Sequence, residues 1–205
     1  MVSASSTIIE DTETMCNSGL ASLAMFFCDF REDQKKNLRG LVSSILVHLC
    51  CQSDSYCAIL SNFYSKHKDG SQDPTEDELV RCLRNLLELP GQAPVYMIID
   101  ALDECLNASA IPSPREKVLE LVVQLIELQF ANIRICVTSR PEIDIKGVLE
   151  PLTFRSVSIH DESGQMEDIE NYIRSVVETK AKNRRWKQQD KQLVIDSLLG
   201  GANGM

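Results

Sequence analysis

Apolar positions along this chain recur with two different periods, and segments of the two kinds alternate. Leu38, Leu41, Val42, Ile45, Leu46 and Leu49 return every three or four residues, which is the stripe of an amphipathic helix. Residues 95–99 are a short continuous apolar run instead, and 133–137 are one broken only by Arg134, the form taken by buried strands. Residues 20–30, with Phe26, Phe27 and Phe30, read the same way, with the strand over 20–28. Residues 5–17 read as a mostly polar helix that Gly19 punctuates. A charged loop over 29–37 precedes the Leu38 helix, and a further helix over 55–67 runs into a polar loop over 68–74.

Thr75 and Glu78 have the spacing of a capping box, so a helix is predicted from there to about Leu89, where Pro90-Gly91 stops it. Ser113, Pro114 and Glu116 repeat the signature with proline at the first helical position, and Val118, Leu121, Val122, Leu125 and Ile126 share one face. Residues 153–160 read as a last strand. Beyond it the pattern is helical, with one stripe through Ile169, Tyr172, Ile173, Val176 and Val177 and another over 193–199. Strands alternating with helices point to a parallel sheet covered on both faces. The domain reading is an α/β core over 1–160, a boundary near Asp161, and a small helical region over 161–205.

Composition narrows the function classes. The chain has 205 residues, 43% of them hydrophobic and 25% charged, ordinary values for one α/β domain with a small appendage. Its formal net charge of -9 repels phosphate backbones, and aromatics at 5% are too few for a base-stacking platform, so nucleic acid is not an expected partner. No run approaches the roughly 20 apolar residues of a membrane span, and residues 1–7 do not resemble a signal peptide. The expected location is cytoplasmic, with no membrane partner. The eight cysteines include no Cys-x-x-Cys pair, and the three histidines fall at no ligand spacing, so zinc is not expected and the thiols are read as buried and reduced.

The chemistry concentrates at the ends of two of the strands. Val95 to Ile99 ends in Asp100, and Asp103 and Glu104 follow at once. The carboxyl ends of parallel strands line the ligand crevice of an open sheet, so Asp100 is placed to hold Mg²⁺ through water, and Asp103 or Glu104 to orient an attacking water. A buried strand meeting solvent at an acidic turn would look the same. The run Ile133 to Val137 ends in Thr138-Ser139-Arg140-Pro141. If the two strands are neighbours, the Arg140 fork can reach a terminal phosphate; otherwise Ser139 caps a helix with Glu142 three residues on, and Arg140 is a surface charge. Asn107-Ala108-Ser109 fits a glycosylation acceptor and reads as a loop, and the basic stretch 180–191 around Trp186 reads as a solvated helix face.

Ile98-Ile99-Asp100-Ala101-Leu102-Asp103-Glu104 resembles the Walker B motif of NACHT domains, and Thr138-Ser139-Arg140-Pro141 resembles their sensor 1 motif. The wording is similar to the NACHT, or nephrocystin-like N-terminal, domains of fungal proteins akin to heterokaryon-incompatibility and ankyrin-repeat receptors. Phe26-Phe27-Cys28-Asp29-Phe30, the segment from Ser113 to Leu119, and His160-Asp161-Glu162-Ser163-Gly164-Gln165 add to the match. The resemblance implies a three-layer P-loop NTPase sheet of strand order 5-1-4-3-2 with a helical region after it. It implies a signal-transduction ATPase of the STAND class that uses Mg²⁺ and ATP or GTP, and it implies protein partners, including self-association through such domains. Carried onto this chain, Asp100 holds the metal, Asp103 and Glu104 are catalytic, and Arg140 binds nucleotide.

One part of the pattern is missing. A P-loop needs Gly-x-x-x-x-Gly-Lys-Ser/Thr, and the chain holds no Gly-Lys dipeptide. The family places that loop just before the helix resembling 5–16, so the expected sheet is incomplete, lacking its first strand and P-loop. The four strand segments would then be strands 2, 3, 4 and 5, with the first three contiguous. Two functions compete on this reading: a nucleotide-dependent switch module with half its site, inactive alone, and a non-enzymatic interaction module derived from the same domain.

Overall fold

The structure is a computed structural model that describes residues 4–68, 70–107, 111–130, 132–157, 165–179 and 186–202. It divides into two compact units, Met1–Thr153 and Phe154–Met205.

In the first unit, helix α1 (Ala4–Asn17) leads into strand β1 (Ser22–Phe27), and Gly19 at φ 69° makes the turn between them. Helices α2 (Leu38–Cys50), α3 (Asp54–Lys66) and α4 (Glu76–Leu87) follow, then strand β2 (Val95–Asp100), helix α5 (Pro114–Glu127), strand β3 (Ile133–Val137) and helix α6 (Ile143–Leu149). Both capping boxes form: Thr75 and Ser113 each accept from the backbone N–H three residues on, and Glu78 and Glu116 reach back to the cap N–H groups. The strands make one parallel sheet in the order β1-β2-β3, with Phe27 opposite Asp100 and Ile99 opposite Val137. Three of the four expected strands are therefore present and contiguous, and the fold is mixed α/β with a parallel sheet.

The fourth differs from expectation. Residues 150–152 form a 3-10 turn and 153–157 form no strand, while 158–160 lie outside the described residues. An extended pattern becomes a strand only where a neighbour takes up its N–H and C=O groups, and an eight-residue pattern cannot report whether one is there. Residues 139–149 also depart from the reading. Glu142, rather than Ser139, stands at the N-cap of α6, and the Ser139 hydroxyl donates instead to the carbonyl of Arg140.

The pleat sorts the sheet's side chains. Ala24, Phe26, Val95, Met97 and Ile99 join the stripes of α2, α4 and α5 in one core, with Leu41, Ile45, Leu83, Leu86 and Val118 fully buried in it. Leu23 and Ile98 are also buried but lie outside that cluster, and α1 packs on β1 and β2.

The free edge of β1 is met by side chains of α2 and of the turn that follows it. Gln52 imitates a neighbouring strand: its Oε1 accepts from Leu23 N–H at 2.8 Å, and its Nε2 donates to Leu23 C=O at 2.6 Å. His48 Nδ1 accepts from Met25 N–H at 3.1 Å, and Ser44 Oγ donates to Met25 C=O at 3.4 Å. Leu23 and Met25 are thereby withdrawn from pairing with another chain. Gln52→Ala is expected to lower stability by about 1 kcal/mol, because water replaces the lost partners of a half-buried pair. Amide exchange at Leu23 should quicken in the variant, and an unchanged rate there would show that the side chain does not protect the edge.

In the second unit, α7 (Gln165–Thr179) packs on α8 (Gln188–Ala202), and Val177 and Ile195 are buried. Trp186 is 42% exposed, and residues 180–185 of the basic stretch lie outside the described residues. Among the described residues no helix is long and apolar enough to cross a membrane.

Candidate functional site

The carboxyl ends of β2 and β3 bring the expected residues together. Parallel pairing puts Asp100 and Thr138 at the same end of adjacent strands. The Thr138 hydroxyl donates to Asp100 Oδ1 at 2.7 Å and accepts from Ala101 N–H at 3.0 Å. Leu102 N–H reaches Thr138 C=O at 2.9 Å, so the chain leaving β2 is stitched to the end of β3. To make that turn Ala101 takes a left-handed conformation, φ 55° and ψ 48°, which a residue with a Cβ adopts at a cost of about 1–2 kcal/mol. Residues Leu102–Glu104 then coil into one 3-10 turn.

Asp103 and Arg140 meet across that turn. Asp103 Oδ1 accepts from Arg140 N–H at 3.0 Å, and its Oδ2 lies 3.4 Å from Arg140 Nε. The Arg140 side chain is 80% exposed and that of Asp103 11% exposed, so the guanidinium has room to swing away from the carboxylate. Glu104 is half-buried, and among the described residues its carboxylate makes no hydrogen bond or ion pair. The loop after β1 lies at the same end: Cys28 N–H donates to Asp100 C=O at 3.0 Å. One residue on, Asp29 is held at about 2, first by side-chain hydrogen bonds from Arg31 and then by the Arg31 N–H.

Reasoning from sequence missed Arg115. Its side chain is 8% exposed and gathers three partners: Nη2 donates to Asp103 C=O at 2.5 Å, Nε to Cys105 C=O at 3.2 Å, and Nη1 pairs with Asp144 at 3.1 Å. A buried cation at the first turn of a helix is unusual, because the helix dipole there favours anions. The neighbouring capping box was visible, but no spacing rule ties residue 115 to carbonyls at 103 and 105. Two buried thiols complete the site. Cys28 and Cys105 place their sulfurs 3.4 Å apart, and both are nearly inaccessible. The hydrogen bond to Cys105, then burial, then the charges of Asp100 and Asp103 push the Cys28 thiol up. The four other buried or half-buried thiols, Cys16, Cys50, Cys82 and Cys136, are raised first by burial, while Cys51 and Cys57 are exposed, against the expectation of uniformly buried thiols.

These donors make no closed cage. No cluster of three or more His, Cys, Asp or Glu side chains suited to a metal occurs among the described residues. Asp100 keeps one oxygen beyond the Thr138 contact, which fits an ion such as Mg²⁺ that binds through one or two carboxylates and retains its waters.

The chain is a mixed α/β domain with a parallel sheet whose central strand ends in an aspartate and an acidic turn, hydrogen-bonded to Thr138 just beyond the neighbouring strand. The chain matches the family described as Nephrocystin 3, N-terminal, over residues 3–140, more than half its length, and it belongs to that family. No curated protein and no solved structure matches it.

Proposed function

We propose that this chain carries the metal- and phosphate-sensing half of a NACHT-type, STAND-class nucleotide switch, of the kind found in fungal receptor proteins, and that alone it does not turn over nucleotide. The observation that carries the reading is the constellation at the ends of β2 and β3: Asp100 oriented by the Thr138 hydroxyl, with Arg140 parked on Asp103. In this reading Asp100 is the residue that holds Mg²⁺, the chemistry of which is to neutralise charge on a terminal phosphate. Thr138 fixes the Asp100 carboxylate. Glu104, whose carboxylate is unengaged, is the acid that orients water, and Asp103 holds Arg140 until a phosphate competes for the guanidinium. Protein partners, including other copies of such domains, and a cytoplasmic setting belong to the same proposal.

A phosphate cradle of loop amides and a lysine is absent from the sequence, and phosphoryl transfer depends on that positioning. Calorimetric titration with ATP and Mg²⁺ should therefore show weak binding or none, and a micromolar dissociation constant would sink this account of the chain alone. The metal assignment is tested separately with Mn²⁺, followed by its electron paramagnetic resonance. Asp100→Asn keeps an oxygen for Thr138 and removes the charge, so Mn²⁺ binding should fall at least ~10-fold, about 1.4 kcal/mol or more. Equal binding by both proteins would remove Asp100 from the metal role.

A further inference from the structure

The nucleotide reading makes no use of the thiol pair. Cys28 follows β1, Cys105 follows the acidic turn, and 77 positions separate them in sequence. Their sulfurs are 3.4 Å apart, about 1.4 Å farther than a disulfide bond, a distance that side-chain rotation and a small shift of the turn can close. We propose that Cys28 and Cys105 are a redox pair, and that their reversible disulfide clamps the turn Leu102–Glu104 to the end of β1.

The product would join two segments that now share only non-covalent contacts. Cys28 N–H is already bound to Asp100 C=O, and Cys105 N–H to Leu102 C=O, so the backbone on both sides is held in register. Both residues are buried, at 5% and 1% exposure, yet Leu106 and Asn107, immediately beyond Cys105, are exposed. Cys105 thus stands between a 3-10 turn and exposed chain, and a single 3-10 turn is the kind of element that opens locally. The oxidant is a hydroperoxide, small enough to enter on such an opening. One thiol, deprotonated, attacks the near peroxide oxygen, and the O–O bond breaks to give a sulfenic acid and hydroxide, which takes up the released proton as water. The second sulfur displaces the sulfenic hydroxyl, which leaves with that thiol's proton as a second water. Two thiols and one hydrogen peroxide become one disulfide and two waters. Either sulfur can attack first, and a dithiol restores the pair by exchange.

Oxidation fixes the turn that bears Asp103 and Glu104, and so sets how far Arg140's anchor can move. The test uses the whole 205-residue chain treated with stepped hydrogen peroxide, denatured with an alkylating agent, and digested without reduction. A cross-linked pair of peptides containing Cys28 and Cys105, two hydrogens lighter than their sum and released by dithiothreitol, is the expected result. Amide exchange over residues 101–107 should slow at least ~10-fold in the oxidised protein, and reductant should reverse it. Cys28→Ser, which keeps a small polar side chain, should lose both responses. The proposal is overturned if Cys28 and Cys105 are recovered as free, alkylated thiols after the exposed Cys51 and Cys57 have oxidised, or if the two are recovered as separate sulfinic acids. A cross-link formed without slower exchange over 101–107 would overturn the clamp.

Discussion

Arg115→Ala should destabilise the first unit by about 3–5 kcal/mol, the range for removing one partner of a buried charge pair. The guanidinium meets four demands at once. It neutralises Asp144, accounts for the carbonyls of Asp103 and Cys105, and ties the start of α5 to the acidic turn. Alanine leaves two carbonyls short of a donor, each a loss of about 1–3 kcal/mol where water does not enter. Asp144 is 35% exposed and regains some hydration, which limits the total. Arg115→Lys retains the charge but presents a point rather than a fork, so it should fall between alanine and wild type. Arg140→Ala is the control, since that side chain is 80% exposed and its ion pair is worth about 0–1 kcal/mol. Urea unfolding of the three variants checks the order. If Arg115→Ala lies within about 1 kcal/mol of wild type, the buried cation is not what holds the turn.

Gly40→Ala should lose about 3 kcal/mol, at the upper end of what overpacking does. The site is the first turn of α2, where the 3-10 turn Asp33–Lys35 folds back onto the helix. A Cβ at position 40 would sit 1.6 Å from the carbonyl oxygen of Gln34 and 2.7 Å from its carbon. Both are backbone atoms, so no side chain can rotate out of the way. Alanine normally stabilises a helix over glycine by about 1 kcal/mol, so the sign of the measured change separates the two effects. A Gly40→Ala protein more stable than wild type would mean that the 33–35 turn swings clear at little cost.

Much of the framework was legible because it depends on local rules. The stripe from Leu38 to Leu49, the capping boxes at Thr75 and Ser113, and the bounds of 95–100 follow from side-chain period and from backbone groups that a nearby hydroxyl or carboxylate satisfies. Asp100, Asp103, Glu104 and Arg140 were visible as residue types at strand ends, and the condition set for their meeting, that the two strands be neighbours, is met by the pairing of β2 with β3.

Tertiary structure alone decided the rest, in each case through a contact between segments distant in sequence. Residues 153–157 have a strand's composition but no strand's partner, so they form none. Ala101 is an ordinary helix former that the sequence cannot mark as left-handed; the hydrogen bonds from Ala101 and Leu102 to Thr138 impose the conformation. The edge of β1 is closed by His48 on α2 and Gln52 just beyond its end, polar residues whose purpose appears only once the helix is docked on the strand. Arg115 and the Cys28–Cys105 pair depend on the same kind of meeting, 12 and 77 residues apart. Periodicity reports which face of an element avoids water, whereas the partner of a buried polar group is chosen by packing, which brings together atoms that no local spacing relates.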